Sequence, residues 1–190
     1  MKRMSWKTGL ALSIVIAVLA GLALTAMGRE IIAKSGNVKL WHGEVVSSEN
    51  SQHLSDWYTP SHVLHGLVFY LLTHWTMARF GFGIGARLVV ATLIEAAWEI
   101  AENTDAVINR YREATIALDY FGDSVVNSVA DIAAMWVGFW LARVLPVWAS
   151  VALFVVAEAV VVWFIRDGLL LNVLMLLAPV DAVRDWQGAI

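Results

Sequence analysis

The feature that most constrains this chain is an uncharged run from Thr8 to Met27, preceded by Lys2, Arg3 and Lys7. About 20 apolar residues are what an α-helix needs to cross the hydrocarbon core of a bilayer. A signal peptide would carry a shorter apolar core and a small-x-small cleavage site before Gly28, so the run reads as an uncleaved anchor. Four further stretches follow the same logic, at about 60–78, 86–103, 123–144 and 147–165. Hydrophobic residues make up 59% of the 190 and charged ones 15%, against roughly 45–50% and about 25% in globular chains. That leaves too few polar side chains to coat a water-facing surface. The expected fold is all-α: one integral membrane domain over residues 1–190, with five transmembrane helices. The last apolar run, Leu169 to Ala178, is too short to cross and reads as an interfacial or half-inserted helix.

The same composition excludes several function classes. A net charge of −3 supplies no basic stripe for nucleic acid. With no cysteine there is no disulfide, thiol nucleophile or thiolate metal site. The sequence holds no glycine-rich phosphate loop, no His-Glu-x-x-His and no G-x-S-x-G elbow. Chemistry is left to histidine, carboxylate, serine and asparagine.

The loops set an orientation. Residues 1–7, 79–87 and 143–147 hold Lys2, Arg3, Lys7, Arg79, Arg87 and Arg143 without one acid. Residues 28–59 and 104–122 are longer and mixed in charge. Basic density in short loops marks the cytoplasmic side. The amino terminus is therefore expected in the cytoplasm of a bacterium, the long segments outside its inner membrane, and the carboxyl terminus in the periplasm. Thr59 and Pro60 are expected to open the second helix, with Thr59 as its cap.

Ionisable residues inside spans are costly and are functional suspects by default. Here they converge. Glu95, Glu99 and Glu102 share one face of the third span; Asp123, Asn127 and Asp131 share one face of the fourth; His62 and His65 share one face of the second. The order of the spans puts all three faces in the outer half of the bilayer. Five carboxylates in one low-dielectric pocket cannot all stay ionised unless something offsets them. Some can be protonated, Arg110 and Arg112 can fold over the mouth, or a divalent cation can bind. His62, His65, Glu95, Glu99 and Asp131 form a plausible ligand set for Zn²⁺ or Mn²⁺. Two alternatives stay open: a buried ion-pair network joining three helices, and a proton or ion pathway with Glu158 as an extra member. His42 and His53, beside Glu44, Glu49 and Asp56, read as a solvated loop.

Several of these residues carry a resemblance. The stretch Glu99-Ile-Ala-Glu102-Asn103, then Arg112, then Asp123-Ser-Val-Val-Asn127 and Gly138, resembles the core of VanZ-like membrane proteins, as does the opening of the second span by Asp56, His62 and His65. The sequence departs from that group by lacking a lysine after Asp56, by a longer Asp-to-His spacing, and by Glu102-Asn103 where a glutamine is usual. Across nearly its full length, including Trp41-His42-Gly43-Glu44, it resembles more closely an uncharacterised family of proteobacterial inner-membrane proteins, a domain of unknown function. The resemblance to VanZ-like proteins implies a link to the cell envelope and brings no established reaction.

The expected function is a membrane enzyme, a metal-dependent hydrolase or transferase, acting on an envelope lipid or lipid-linked precursor. The metal would activate water or polarise an oxygen. Glu102 or Asp123 would serve as general base, Asn127 would stabilise a developing oxyanion, and Arg110, Arg112 and Asp56 would meet the substrate. The alternatives are a non-catalytic ion, proton or head-group binder and an assembly factor.

Overall fold

The structure is a computed structural model that describes residues 4–115 and 119–189. Among them are eight α-helices and no strand: α1 Trp6–Ala26, α2 Thr59–Met77, α3 Ile84–Glu102, α4 Asp105–Ala114, α5 Val125–Val144, α6 Val147–Ile165, α7 Leu169–Leu177 and α8 Asp181–Gln187. Local chemistry explains the boundaries. Ser5 caps α1 by accepting the Thr8 amide, and Ser124 caps α5 by accepting that of Asn127. Pro146 ends one helix and sets the start of the next. Thr59 does not cap α2 as expected; it is the first helical residue. The Asp56 carboxylate takes the cap's task, accepting the Tyr58 amide at 2.7 Å, while Thr59 Oγ1 accepts the Asp56 amide at 3.0 Å.

α2 packs on α5, and α1 on α3. Both crossings use glycine for close approach rather than for turning. A Cβ on Gly66 or Gly138 would run into the backbone of the facing helix, and one on Gly9 would strike Gly85 in the same way. Small residues at such crossings let helix backbones touch. Between the pairs lies a core of Ala17, Ala20, Leu88, Ala96, Ile132, Met135 and Phe139. Its polar seam is local: the Ser13 and Thr92 hydroxyls lie 3.0 Å apart, and the Trp136 indole donates to Thr92 at 2.9 Å.

Three helices are long and apolar enough to cross a membrane: α1, α5 and α6, with mean hydropathies of 2.4, 1.5 and 2.2. α2 and α3 match the expected second and third spans in position, and each has 19 residues. They fall short in apolarity because they carry His62, His65, Glu95, Glu99 and Glu102. The charged stretch after α3 holds a helix of its own, α4. The chain's end forms two short helices, α7 and α8, where one was expected.

Candidate functional site

The polar faces of α2, α3 and α5 meet. Each is set by helical spacing, and the Gly66–Gly138 crossing brings the first and last within side-chain reach. His62 is at the centre. Its Nδ1 lies 2.7 Å from Glu95 Oε1 and 3.4 Å from Glu99 Oε1, and its Nε2 lies 3.8 Å from Asp131 Oδ2. His65 Nδ1 reaches both Glu95 oxygens, at 3.1 and 3.0 Å. Glu95 and Glu99 are fully buried. Both Glu99 oxygens lack a hydrogen-bond partner, an arrangement that native interiors rarely leave uncompensated. Ligand atoms of His62, His65 and Glu95, and separately of His62, Glu99 and Glu102, gather closely enough to share one ion.

A second polar layer sits beside this cluster. Asn103 Nδ2 donates to Asp123 Oδ2 at 2.9 Å, and Asn103 Oδ1 accepts the Asp123 amide at 2.7 Å. The Tyr120 hydroxyl donates to Asp123 Oδ1 at 3.0 Å. Asn127 Nδ2 donates to the His53 carbonyl at 2.8 Å, which ties the loop before α2 onto α5. Thr59 Oγ1 reaches Asp131 Oδ1 at 3.4 Å.

Between these layers and α7 lies a cavity of about 270 Å³. Its lining combines the polar side chains of His62, His65, Glu102, Asp123, Asn127 and Asp131 with the apolar ones of Phe69, Ile94, Trp98, Leu169 and Val173. The Phe69 ring stacks on His65, with centroids 5.6 Å apart. Side chains of α6 and α4 hold α7 over it. The buried Glu158 of α6 accepts the amides of Leu169 and Leu170 at 2.8 and 3.1 Å, and Tyr111 donates to Asn172 at 3.0 Å. Glu158 thus caps α7 and does not join the polar cluster.

The residues expected at the mouth lie elsewhere. Arg110 Nε donates to the Leu176 carbonyl at 3.0 Å, and the Arg112 guanidinium stands 5.2 Å over the Phe121 ring. Their side chains are engaged by backbone and ring, so neither offsets the carboxylates. Asp56 is buried and spends its oxygens on the Ser51 and Tyr58 amides; burial pushes its pKa up.

The 28–58 segment holds a second histidine–carboxylate cluster, and it is not solvated as expected. His53 is fully buried and His42 nearly so, with rings 5.0 Å apart. Glu49 Oε2 lies 3.3 Å from His53 Nε2 and 2.7 Å from Lys39 Nζ. Lys39, then Ser35 and His53, hydrogen-bond to Glu49 and pull its pKa down to about 2. Burial, and then the Lys39 ammonium, hold His42 below the usual histidine value. No periodicity announces this cluster. The one signal was the Trp41-His42-Gly43-Glu44 segment.

Residues 24–189 match the model of a family described as a protein of unknown function, DUF2585. The chain belongs to this family. Its relatives include a UPF0314 protein of Paracoccus denitrificans, 62% identical over 92% of this chain and 90% of that one. UPF0314 protein R03235 of Rhizobium meliloti is 59% identical over 86% and 82%. A UPF0314 protein of Sphingopyxis alaskensis is 44% identical over 95% of both chains. No solved structure matches this DUF2585 member.

Proposed function

We propose that this protein is a five-span bacterial inner-membrane protein that takes an envelope lipid or lipid-linked amphiphile into the cavity beneath α7 and acts on its head group. The observation that carries the reading is the cavity's mixed lining, with histidines and carboxylates beside apolar and aromatic side chains. Such a pocket suits an amphiphile. The amino terminus is cytoplasmic and the carboxyl terminus periplasmic, as the acid-free basic loops imply. The likeness of Asp123-Ser-Val-Val-Asn127 to VanZ-like proteins supports the envelope link.

In this reading His62, His65 and Glu95 hold a divalent metal, Zn²⁺ or Mn²⁺, with Glu99 and Asp131 beside it. The Glu99 oxygens, which accept no hydrogen bond, support the metal reading. When bound, the ion would supply Lewis acidity to a head-group oxygen. Glu102 or Asp123 would accept a proton, and Asn127 keeps one amide proton free for an oxyanion. One observation favours a second reading, a structural ion-pair network: the 2.7 Å His62–Glu95 contact is already satisfied without an ion.

Elemental analysis of the purified wild type and of Glu95→Gln separates the two. The metal reading expects about one ion per wild-type chain, lost in a variant that still folds. A metal-free wild type, with a variant destabilised by about 3–5 kcal/mol as a broken buried pair would be, supports the network instead.

A further inference from the structure

The cavity is lined by two histidines and three carboxylates, with no lysine or arginine among its lining residues. Glu95 and Glu99 stand directly behind His62. Arg110 and Arg112 are committed to Leu176 and Phe121, and Arg29, on the far side of Asp123 in a neighbouring cavity, to the Phe121 carbonyl and Asp105. Glu102, Asp123 and Asp131 disfavour a phosphate, and no lysine or arginine lines the cavity to hold one. A divalent ion at His62, His65 and Glu95 would still leave Glu102 and Asp123 among the lining acids.

The mouth is also aromatic. Tyr58, Tyr111 and Tyr120 line it. Their hydroxyls are tied to Asp167, Asn172 and Asp123, at 3.2, 3.0 and 3.0 Å. With the polar tips anchored, what the tyrosines offer a guest is ring. The rings of Tyr111 and Tyr120 meet edge to face, with centroids 5.3 Å apart, and so form a corner beside Asp123. Trp98 and Phe69 add further rings to the lining. Aromatic faces next to carboxylates are the chemistry that recognises organic ammonium groups.

We infer that the head group this cavity selects is cationic: an ammonium seated in the corner of Tyr111 and Tyr120 against Glu102 and Asp123, with its alkyl chain running along Phe69, Ile94, Trp98 and Val173. The inference rests on the amphiphile reading above and specifies its substrate class.

Three probes with the same twelve-carbon chain test it on the full chain in neutral maltoside micelles: dodecyltrimethylammonium, dodecyl phosphate and dodecyl glucoside. Each is added at a few mole per cent of detergent, and dissociation constants are read from thermal-shift titrations. Saturation transfer to the N-methyl protons reports contact with the protein. The ammonium probe is expected to bind about tenfold or more tighter than the other two, the size of one desolvated cation–π contact. Tyr111→Phe, which keeps the ring, should retain that preference, and Tyr111→Leu should lose it along with the N-methyl signal. Should Tyr111→Leu fail to fold, Asp123→Asn supplies the second reading, with an expected loss of about tenfold for the ammonium probe alone. Equal binding of all three probes, or preference for the phosphate, overturns the cationic assignment and leaves the amphiphile cavity standing. Binding of none overturns the amphiphile reading itself. Tetramethylammonium matching the long-chain probe keeps the cation and removes the lipid chain.

Discussion

Two clusters in this chain are built from the same side chains and solve the same problem differently. His42, Glu49 and His53 sit on a loop, and Lys39 reaches in to neutralise the carboxylate at 2.7 Å. His62, His65 and Glu95 sit on helices, with four further acids nearby and no lysine or arginine lining their cavity. The loop-borne cluster is closed by the chain's own cation. The helix-borne one has no such lysine, which is why we propose the site there.

The largest effect should come from the frame that holds the helix-borne cluster. Gly138→Leu forces a side chain into the backbone of α2 at Val63 and Gly66. Overpacking of this kind costs about 3 kcal/mol, and here it also separates His62 from Asp131. Thermal unfolding should show a large loss of stability, and metal uptake should fall with it. A variant as stable as the wild type would mean that the crossing does not hold the cluster.

Glu99→Gln should have the next effect, and of the opposite sign. Glu99 accepts no hydrogen bond and shares His62 with Glu95, so removing its buried charge should stabilise the metal-free protein by about 1–3 kcal/mol. On the metal reading it should also reduce the stabilisation expected from added Zn²⁺ or Mn²⁺. A metal-free variant less stable than wild type would show that Glu99 is already balanced.

Asp167 shows what burial does to an acid with neither histidine nor lysine beside it. Burial lifts its pKa to about 6, against hydrogen bonds from Gly168, Asn172 and Tyr58 that favour the ionised form. An acid raised above its unfolded value near 3.8 stabilises fully below that pH and loses the contribution as pH climbs to about 6. Asp167→Asn should therefore be the more stable form above pH 6, with the difference closing below pH 4. A pH-independent difference in melting temperature would refute this.

The smallest effect belongs to the loop-borne cluster. Glu49, depressed to about 2, contributes stability above its ordinary value near 4.5 and loses it as pH falls towards 2. The Lys39–Glu49 pair is half exposed, so Lys39→Met should lower stability only slightly and flatten that acid dependence. If the lysine is what keeps metal out of this cluster, the variant should take up more metal than the wild type. No uptake in the variant would mean that the lysine is not what separates the two clusters.

The helix-borne cluster was legible because its members repeat at helical spacing on three stretches whose positions the apolar runs mark. The apolar runs likewise located α1, α5 and α6 to within two residues. The loop-borne cluster was not legible, since burial of His42 and His53 depends on how 28–58 folds back on itself. Irregular backbone has no period to read. The arginines misled for a related reason. Arg110 and Arg112 stand near the acids in sequence, but α4 turns them towards the Leu176 carbonyl and the Phe121 ring. Asp56 looked like a mouth residue and is consumed by backbone amides, a role that composition does not reveal.

Gly66 lies one helical turn beyond His62, and Gly138 two turns beyond Asp131, on the faces that carry those residues. Because main chain touches main chain there, the gap between the two working faces is set by atoms that every residue shares. Exchanging Phe69, Trp98 or Tyr111 would reshape what the cavity accepts without moving the supports on which the histidines and acids are mounted. The shape of the cavity and the spacing of its scaffold can therefore drift independently in descendants of this chain.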